Sequence, residues 1–337
     1  MKAAVQYGAY DIRMEEIDIP RPGMNEVLVK IMAAGICGSD VHFYEGVHPY
    51  KMYPRIHGHE LSGVIEKPGP GHTDLNPGDP VVIEPLIPCG TCYPCRKGKY
   101  NCCSNLKVIG AHIDGGFAEY LVVPENRVHK IPIGMPFDLA ATCEPYSIGH
   151  HSTSRAAITP GETVLIIGSG AIGLTAIDFA KIAGARVMVT EISPFRREMA
   201  LKFGADIVVD PSGENLLNRV LDETSGEGAG VVIEATGDPR VMESTENLVA
   251  AGGSIVIAGL TTDKVAFTGI NFTKREMNIL GTRNSAGEFP AVIDAIASGK
   301  THANILITRK FHFTEFLEAI DFTARHMASE GKVIIEF

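Results

Sequence analysis

The chain has 337 residues, 45% hydrophobic and 21% charged, with a formal net charge of -10 and a sequence pI of about 5.6. A surplus of acid opposes nucleic-acid phosphates, so nucleic acid is set aside as a partner, and no apolar run is long enough to cross a membrane, so a membrane is set aside too. The length suggests about two domains of ordinary globular composition.

The chain opens on "MKAAVQYGAYDIRMEEIDIP", which reads as an alternating strand with a turn and lacks the apolar run of a secretory signal. The expectation is a cytoplasmic protein. Through about residue 150, short β-rich runs such as "EVLVKIMAAGIC", "LSGVIEK", "DPVVIEP" and "FAEYLVVP" are broken by Gly and Pro, the texture of an all-β lobe. Within it, "GICGSDVH", "GHELSG" and "CEPYSIGHH" offer Cys37, His59, Glu60 and Glu144 as widely separated metal ligands. Taken singly, each reads equally well as a buried thiol or a surface polar group.

Residues 89–103, "CGTCYPCRKGKYNCC", hold five of the seven cysteines. In a reducing compartment such a cluster is more often a metal site than a disulfide framework. The spacing C-x2-C-x2-C-x7-C through Cys89, Cys92, Cys95 and Cys103 brings four thiolates to one loop. There they can close a tetrahedron around zinc with no open position, which describes a structural site. Cys102, beside Cys103, is left over, and spacing alone does not choose between the two.

From about residue 160, apolar strands alternate with amphipathic helices: "TVLIIG", "AIGLTAIDFAKIAG", "RVMVTE", "DIVVD", "GVVIEATG", "SIVIAGL" and "MNILGT". This predicts a doubly wound parallel sheet, hence an α/β protein overall. "GSGAIG" (Gly168, Gly170, Ala171, Ile172, Gly173) follows a buried strand and opens a helix, the setting in which glycines let backbone approach a pyrophosphate. Glu191 ends the second strand, where such a fold places the acid for the adenosine ribose hydroxyls; a carboxylate there favours NAD over NADP. The loops holding Thr236, Leu260 and Arg283, at later strand ends, are expected to face the same cofactor.

These motifs together resemble the zinc-containing medium-chain alcohol dehydrogenase family, in its sorbitol, threonine and sugar-acid branches. The likeness runs from "GICGSD" to the terminal "GKVIIEF" and includes GHE-x2-G-x5-G as Gly58, His59, Glu60, Gly63 and Gly69. It implies a β-rich GroES-like catalytic domain bearing both zinc sites (1–149), a Rossmann NAD-binding domain (150–285) and a return that completes the first domain (286–337). It implies two zinc ions per chain: a structural one on Cys89, Cys92, Cys95 and Cys103, and a catalytic one on Cys37 and His59 with Glu60 or Glu144. Cys143 and His57 are lesser candidates. By the same resemblance Ser39 takes the alcohol proton, His42 passes it on, Asp40 fixes the imidazole of His59, Arg196 lies by the adenosine, and Arg283 points into a cleft between domains. A homo-oligomer is expected. Pro68, His72 and Pro80 depart from the family's residues and are expected to reshape turns.

The resemblance implies an NAD-linked oxidation of a secondary alcohol. "FYEGVHPYKMYPRIHG", with Tyr44, His48, Tyr50 and Tyr53, suits hydroxyl-rich ligands, and equally its tyrosines suit packing of the lobe; "VIGAHIDGGFAEY", with His112, and "GTRNSAGEFP" look most like relatives acting on galactonate, gulonate or idonate. A neutral polyol or threonine are the alternatives. From other classes come a non-catalytic NAD-binding protein and a zinc-free quinone-reductase-like relative. Retention of Cys37, Ser39, His42, His59, Glu60 and Glu144 argues against both, since neither needs an open metal position.

Overall fold

A computed structural model describes residues 1–71 and 74–337. The chain divides into two compact units, 1–144 with 286–299 and 303–337, and 145–285 with 300–302. The helix Cys143–Ala156 contains the first crossing.

The first unit begins with a hairpin, the expected strand and turn: Lys2–Gly8 pairs antiparallel with Asp11–Glu16, a second strand not read from sequence, and Arg55–Ile56 joins its other edge. Its main sheet runs Val128–Lys130, Pro80–Ile83, Glu60–Pro68, Glu26–Ile36, Lys332–Glu336, Ile307–His312, with Tyr120–Pro124 also pairing on Glu26–Ile36. The long strand Glu26–Ile36 is inward-facing through Val27, Val29 and Ile31, and its end, Ala33 to Ile36, is buried throughout. This double burial lets it pair with strands from 60 and from 332 and carry the last residue of the chain's "GIC" to the sheet's end. Pro68 closes one strand and Pro80 opens the next, positions where a missing N–H is tolerated. The departure expected at His72 lies outside the described residues.

The second unit is a six-stranded parallel sheet. Its strands are Thr163–Ile167, Arg186–Thr190, Ile207–Val209, Ala229–Glu234, Val249–Ile257 and Asn278–Gly281. Numbered in that order they lie 3-2-1-4-5-6. The topology reverses between the first and fourth strands, the place where such sheets bind dinucleotides. The apolar runs read from sequence are fully buried here: Val164 to Ile166, Val187 to Val189 and Val231 to Ile233 are each at most 1% exposed.

Candidate active site

The strand Glu26–Ile36 delivers Cys37 to the start of the helix Gly38–Tyr44. Asp40, three residues on, turns back so that Oδ2 accepts from Cys37 N–H at 2.9 Å, while Oδ1 accepts from Gly58 N–H at 3.3 Å. One buried carboxylate thus ties the helix start to the loop carrying His59 and Glu60. His59 Nδ1 stands 3.7 Å from Asp40 Oδ1. Burial alone would depress the imidazole, but Asp40, Cys37 and Glu144 around it hold its pKa well above the usual value.

The ligand atoms of Cys37, His59 and Glu60 lie within 4.8 Å of one another. Glu144 is outside that close set but buried beside it, and desolvation, opposed by His59 and reinforced by Glu60, raises its pKa to about 7. Glu60 Oε1 accepts from the Lys332 ammonium at 2.6 Å, whereas Oε2 is buried with no partner among the described residues. An orphaned carboxylate oxygen beside a thiol and an imidazole is a donor set that a divalent cation completes. A cradle holds this carboxylate. Gly35 faces Glu60 across the sheet, and a Cβ at Gly35 would overlap Oε2.

Gly35→Ala should therefore push the carboxylate off its position, at an overpacking cost of about 1–3 kcal/mol. Retention of one metal equivalent less than wild type after mild dialysis, read by elemental analysis, is the expected result.

Ser39 and His42 lie on the same short helix, Ser39 half-buried and His42 exposed. Cys143 is fully buried, with burial pushing its thiol far up, and it is absent from the close set, as is His57. Of the polar aromatics, Tyr53 donates to Phe43 O at 3.0 Å and Tyr44 packs edge-on against Tyr10, so both serve packing. His48, Tyr50 and His112 form a separate cluster, with ring centroids 5.7 Å and 5.1 Å apart in turn. Burial, then His42, His112 and His59, lowers His48 to about 4, so it stays neutral at physiological pH.

In the 89–103 loop, the sulfurs of Cys89, Cys92, Cys95 and Cys103 also converge within 4.8 Å. Cys92 Sγ is 3.3 Å from Cys95 Sγ and 3.8 Å from Cys103 Sγ. A tetrahedron with 2.3 Å metal–sulfur arms has edges of about 3.8 Å, so the set fits zinc. Backbone N–H groups of Thr91 and Cys92 lower Cys89 to about 6, while burial and the neighbouring sulfurs raise Cys95 to about 12. Four thiols this close need a cation before all can ionise. Cys102 is exposed and outside the set.

In the second unit, Gly168 takes φ +90° and a Cβ there would press on Thr236. A Cβ at Gly173 would overlap Gly168 O, so this glycine lets the helix Ala171–Ile182 seat on the turn. Gly170 differs: its backbone suits any residue, and the nearest atom to an added Cβ is Arg196 Nη1 at 4.0 Å. The protein itself leaves that space open at the helix N-terminus, as a pyrophosphate requires.

Glu191 is more occupied than its sequence position implied. Oε2 accepts from Ser169 N–H at 2.9 Å and Ser169 Oγ at 3.3 Å, and Oε1 accepts from Ser193 N–H at 2.9 Å. Three of about four lone-pair sites are used, so the carboxylate pins the glycine turn. Arg197 is turned onto Glu191 O, Ile192 O and Asp210, and Arg196 is the arginine by Gly170.

Sequence reading passed over Glu234. Fully buried at the fourth strand's end, it accepts from Thr236 N–H at 2.6 Å, from Gly237 N–H at 3.1 Å and from the Thr236 hydroxyl. It shapes the turn holding Thr236, while Leu260, 88% exposed, and Arg283, exposed, follow the fifth and sixth strands. A buried acid beside a Thr-Gly pair was the available signal.

Known proteins bear on these sites. Residues 23–133 match the alcohol dehydrogenase GroES-like domain family and residues 171–298 the zinc-binding dehydrogenase family. L-galactonate-5-dehydrogenase of Escherichia coli strain K12 is 40% identical over 305 residues, 90% of this chain and 89% of that protein. L-threonine 3-dehydrogenase of Pyrococcus abyssi is 37% identical over 99% of this chain and 97% of its own length. The crystal structure of the alcohol dehydrogenase rspB from Escherichia coli CFT073, complexed with NADH, superposes with a TM-score of 0.94 at 34% identity, covering 100% of this chain and 99% of that one.

Proposed function

The chain belongs to the zinc-containing medium-chain alcohol dehydrogenase family, and on that premise we propose that it oxidises a secondary alcohol of a hexonate, such as galactonate, gulonate or idonate, with NAD. The observation that carries the catalytic reading is the convergence of Cys37, His59 and Glu60 with Glu60 Oε2 left unpartnered. When bound, zinc lowers the pKa of an alcohol as a Lewis acid and NAD accepts the hydride. Cys37 and His59 would hold that zinc, with Glu60 or Glu144 as third ligand, and Cys89, Cys92, Cys95 and Cys103 would hold a second, structural ion.

Asp40, with Oδ1 3.7 Å from His59 Nδ1, is the carboxylate that would orient the imidazole once a metal is bound. Ser39 takes the alcohol proton and His42, exposed on the next helical turn, passes it to solvent. Hydride and proton together account for the two electrons and two hydrogens lost by the alcohol. Glu191 supports NAD over NADP because its buried charge would repel a 2′-phosphate.

The sugar-acid preference draws on the L-galactonate relative and on Arg283. A hexonate carboxylate needs a cation in a protein of net charge -10, and a charge-assisted contact is worth about 1.5–3 kcal/mol, or roughly one to two decades. Arg283→Gln should lower kcat/KM for a hexonate by that much while sparing a neutral polyol of equal length. Equal losses on both would place Arg283 on the cofactor and remove the main physical support for the acid.

A further inference from the structure

The first unit holds a small, partly open cavity of about 10 Å3, walled by Gln6, Asp40 and His57 and by apolar side chains including Ala4, Phe117 and Phe316. Its size matches one water. Gln6 is 1% exposed and His57 4%. The Gln6 amide nitrogen donates to Phe43 O at 2.7 Å and Gly8 O at 2.9 Å, which leaves Oε1 buried without a partner. His57 Nδ1 lies 2.7 Å from Gly110 O. A carbonyl only accepts, so Nδ1 carries the hydrogen, and Nε2 of the neutral ring is an acceptor. Nε2 too is buried without a partner. Two acceptors cannot satisfy one another, and each costs free energy while unmet.

We propose that this cavity holds one resident water, donating one hydrogen to Gln6 Oε1 and the other to His57 Nε2. Asp40 needs no share of it, since its oxygens already accept from Cys37 and Gly58. The assignment gives His57, a lesser candidate for the metal, another role: stacked on Phe43 with centroids 4.2 Å apart, it holds a water rather than a metal. The water bridges the strand Lys2–Gly8 to the loop that carries His59, and so braces the candidate site from behind.

A crystal structure of the zinc-loaded wild type, grown without ammonium and at a resolution that shows ordered solvent, tests this directly. The expected result is a single peak about 2.5–3.2 Å from both Gln6 Oε1 and His57 Nε2. Gln6→Met should in addition lose one long-lived water in oxygen-17 relaxation dispersion. An empty cavity, a peak reaching only one of the two atoms, a site that fills only when ammonium is added, or an unchanged count of long-lived waters in Gln6→Met would each overturn the assignment. If Gln6→Met does not fold, the wild-type density decides alone.

Discussion

Lys332→Met should lower the melting temperature of the first unit by roughly 6–20 °C, the counterpart of about 3–5 kcal/mol for stripping one partner from a buried ion pair. Lys332 is 3% exposed and Glu60 1%; the ammonium meets Glu60 Oε1 at 2.6 Å and Ile36 O at 3.3 Å. Burial alone would pull the lysine pKa down, yet Glu60, Cys37 and Glu144 outweigh it and hold the amine charged. Methionine fills the space but, in the metal-free protein on which the measurement is made, leaves Glu60 buried and uncompensated. The double variant Lys332→Met with Glu60→Gln should recover most of the loss, because it leaves no buried charge at that pair. Differential scanning calorimetry on the four members of that cycle measures the coupling. A single-variant shift under about 2 °C, less than 1 kcal/mol on the same scale, would show that the pair is hydrated rather than buried.

Gly170→Ala and Gly173→Ala should part ways. Alanine at 170 meets no protein atom closer than 4.0 Å and suits the local backbone, so stability should hold or rise slightly. Yet NAD binding should weaken by about two decades, roughly 3 kcal/mol, because the methyl stands where the phosphates approach the helix. Alanine at 173 would overlap Gly168 O and should destabilise the second unit outright. Titration of NADH fluorescence together with thermal unfolding separates the two effects. Undiminished NADH affinity in Gly170→Ala would mean that the space open at 170 is not the phosphate site.

What could be read from sequence is what lies close in sequence. The C-x2-C-x2-C spacing and "GSGAIG" each place their groups within one loop or turn, so local spacing implies their convergence. The alternation of buried strands and helices after residue 160 likewise announces the parallel sheet. In "GKVIIEF" nothing marks Lys332, because its partner lies 272 residues earlier and only sheet pairing brings them together. Gly35 reads as an ordinary strand residue until the register sets it opposite Glu60. Glu191 was found by position, but its donors, Ser169 and Ser193, follow from the shape of two turns. Composition leaves Tyr44 and Tyr53 open between a ligand and the lobe's packing, and the contacts of Tyr44 with Tyr10 and of Tyr53 with Phe43 O arise only in the fold.

A zinc- and NAD-dependent oxidation of a sugar acid is tested most directly by the rate of NADH formation, followed by its absorbance, across a panel of hexonates, neutral polyols and threonine. The expected result is turnover with the highest kcat/KM on a hexonate such as galactonate, gulonate or idonate. A higher kcat/KM on a neutral polyol or on threonine, or no NADH from any member of the panel with zinc present, would contradict it.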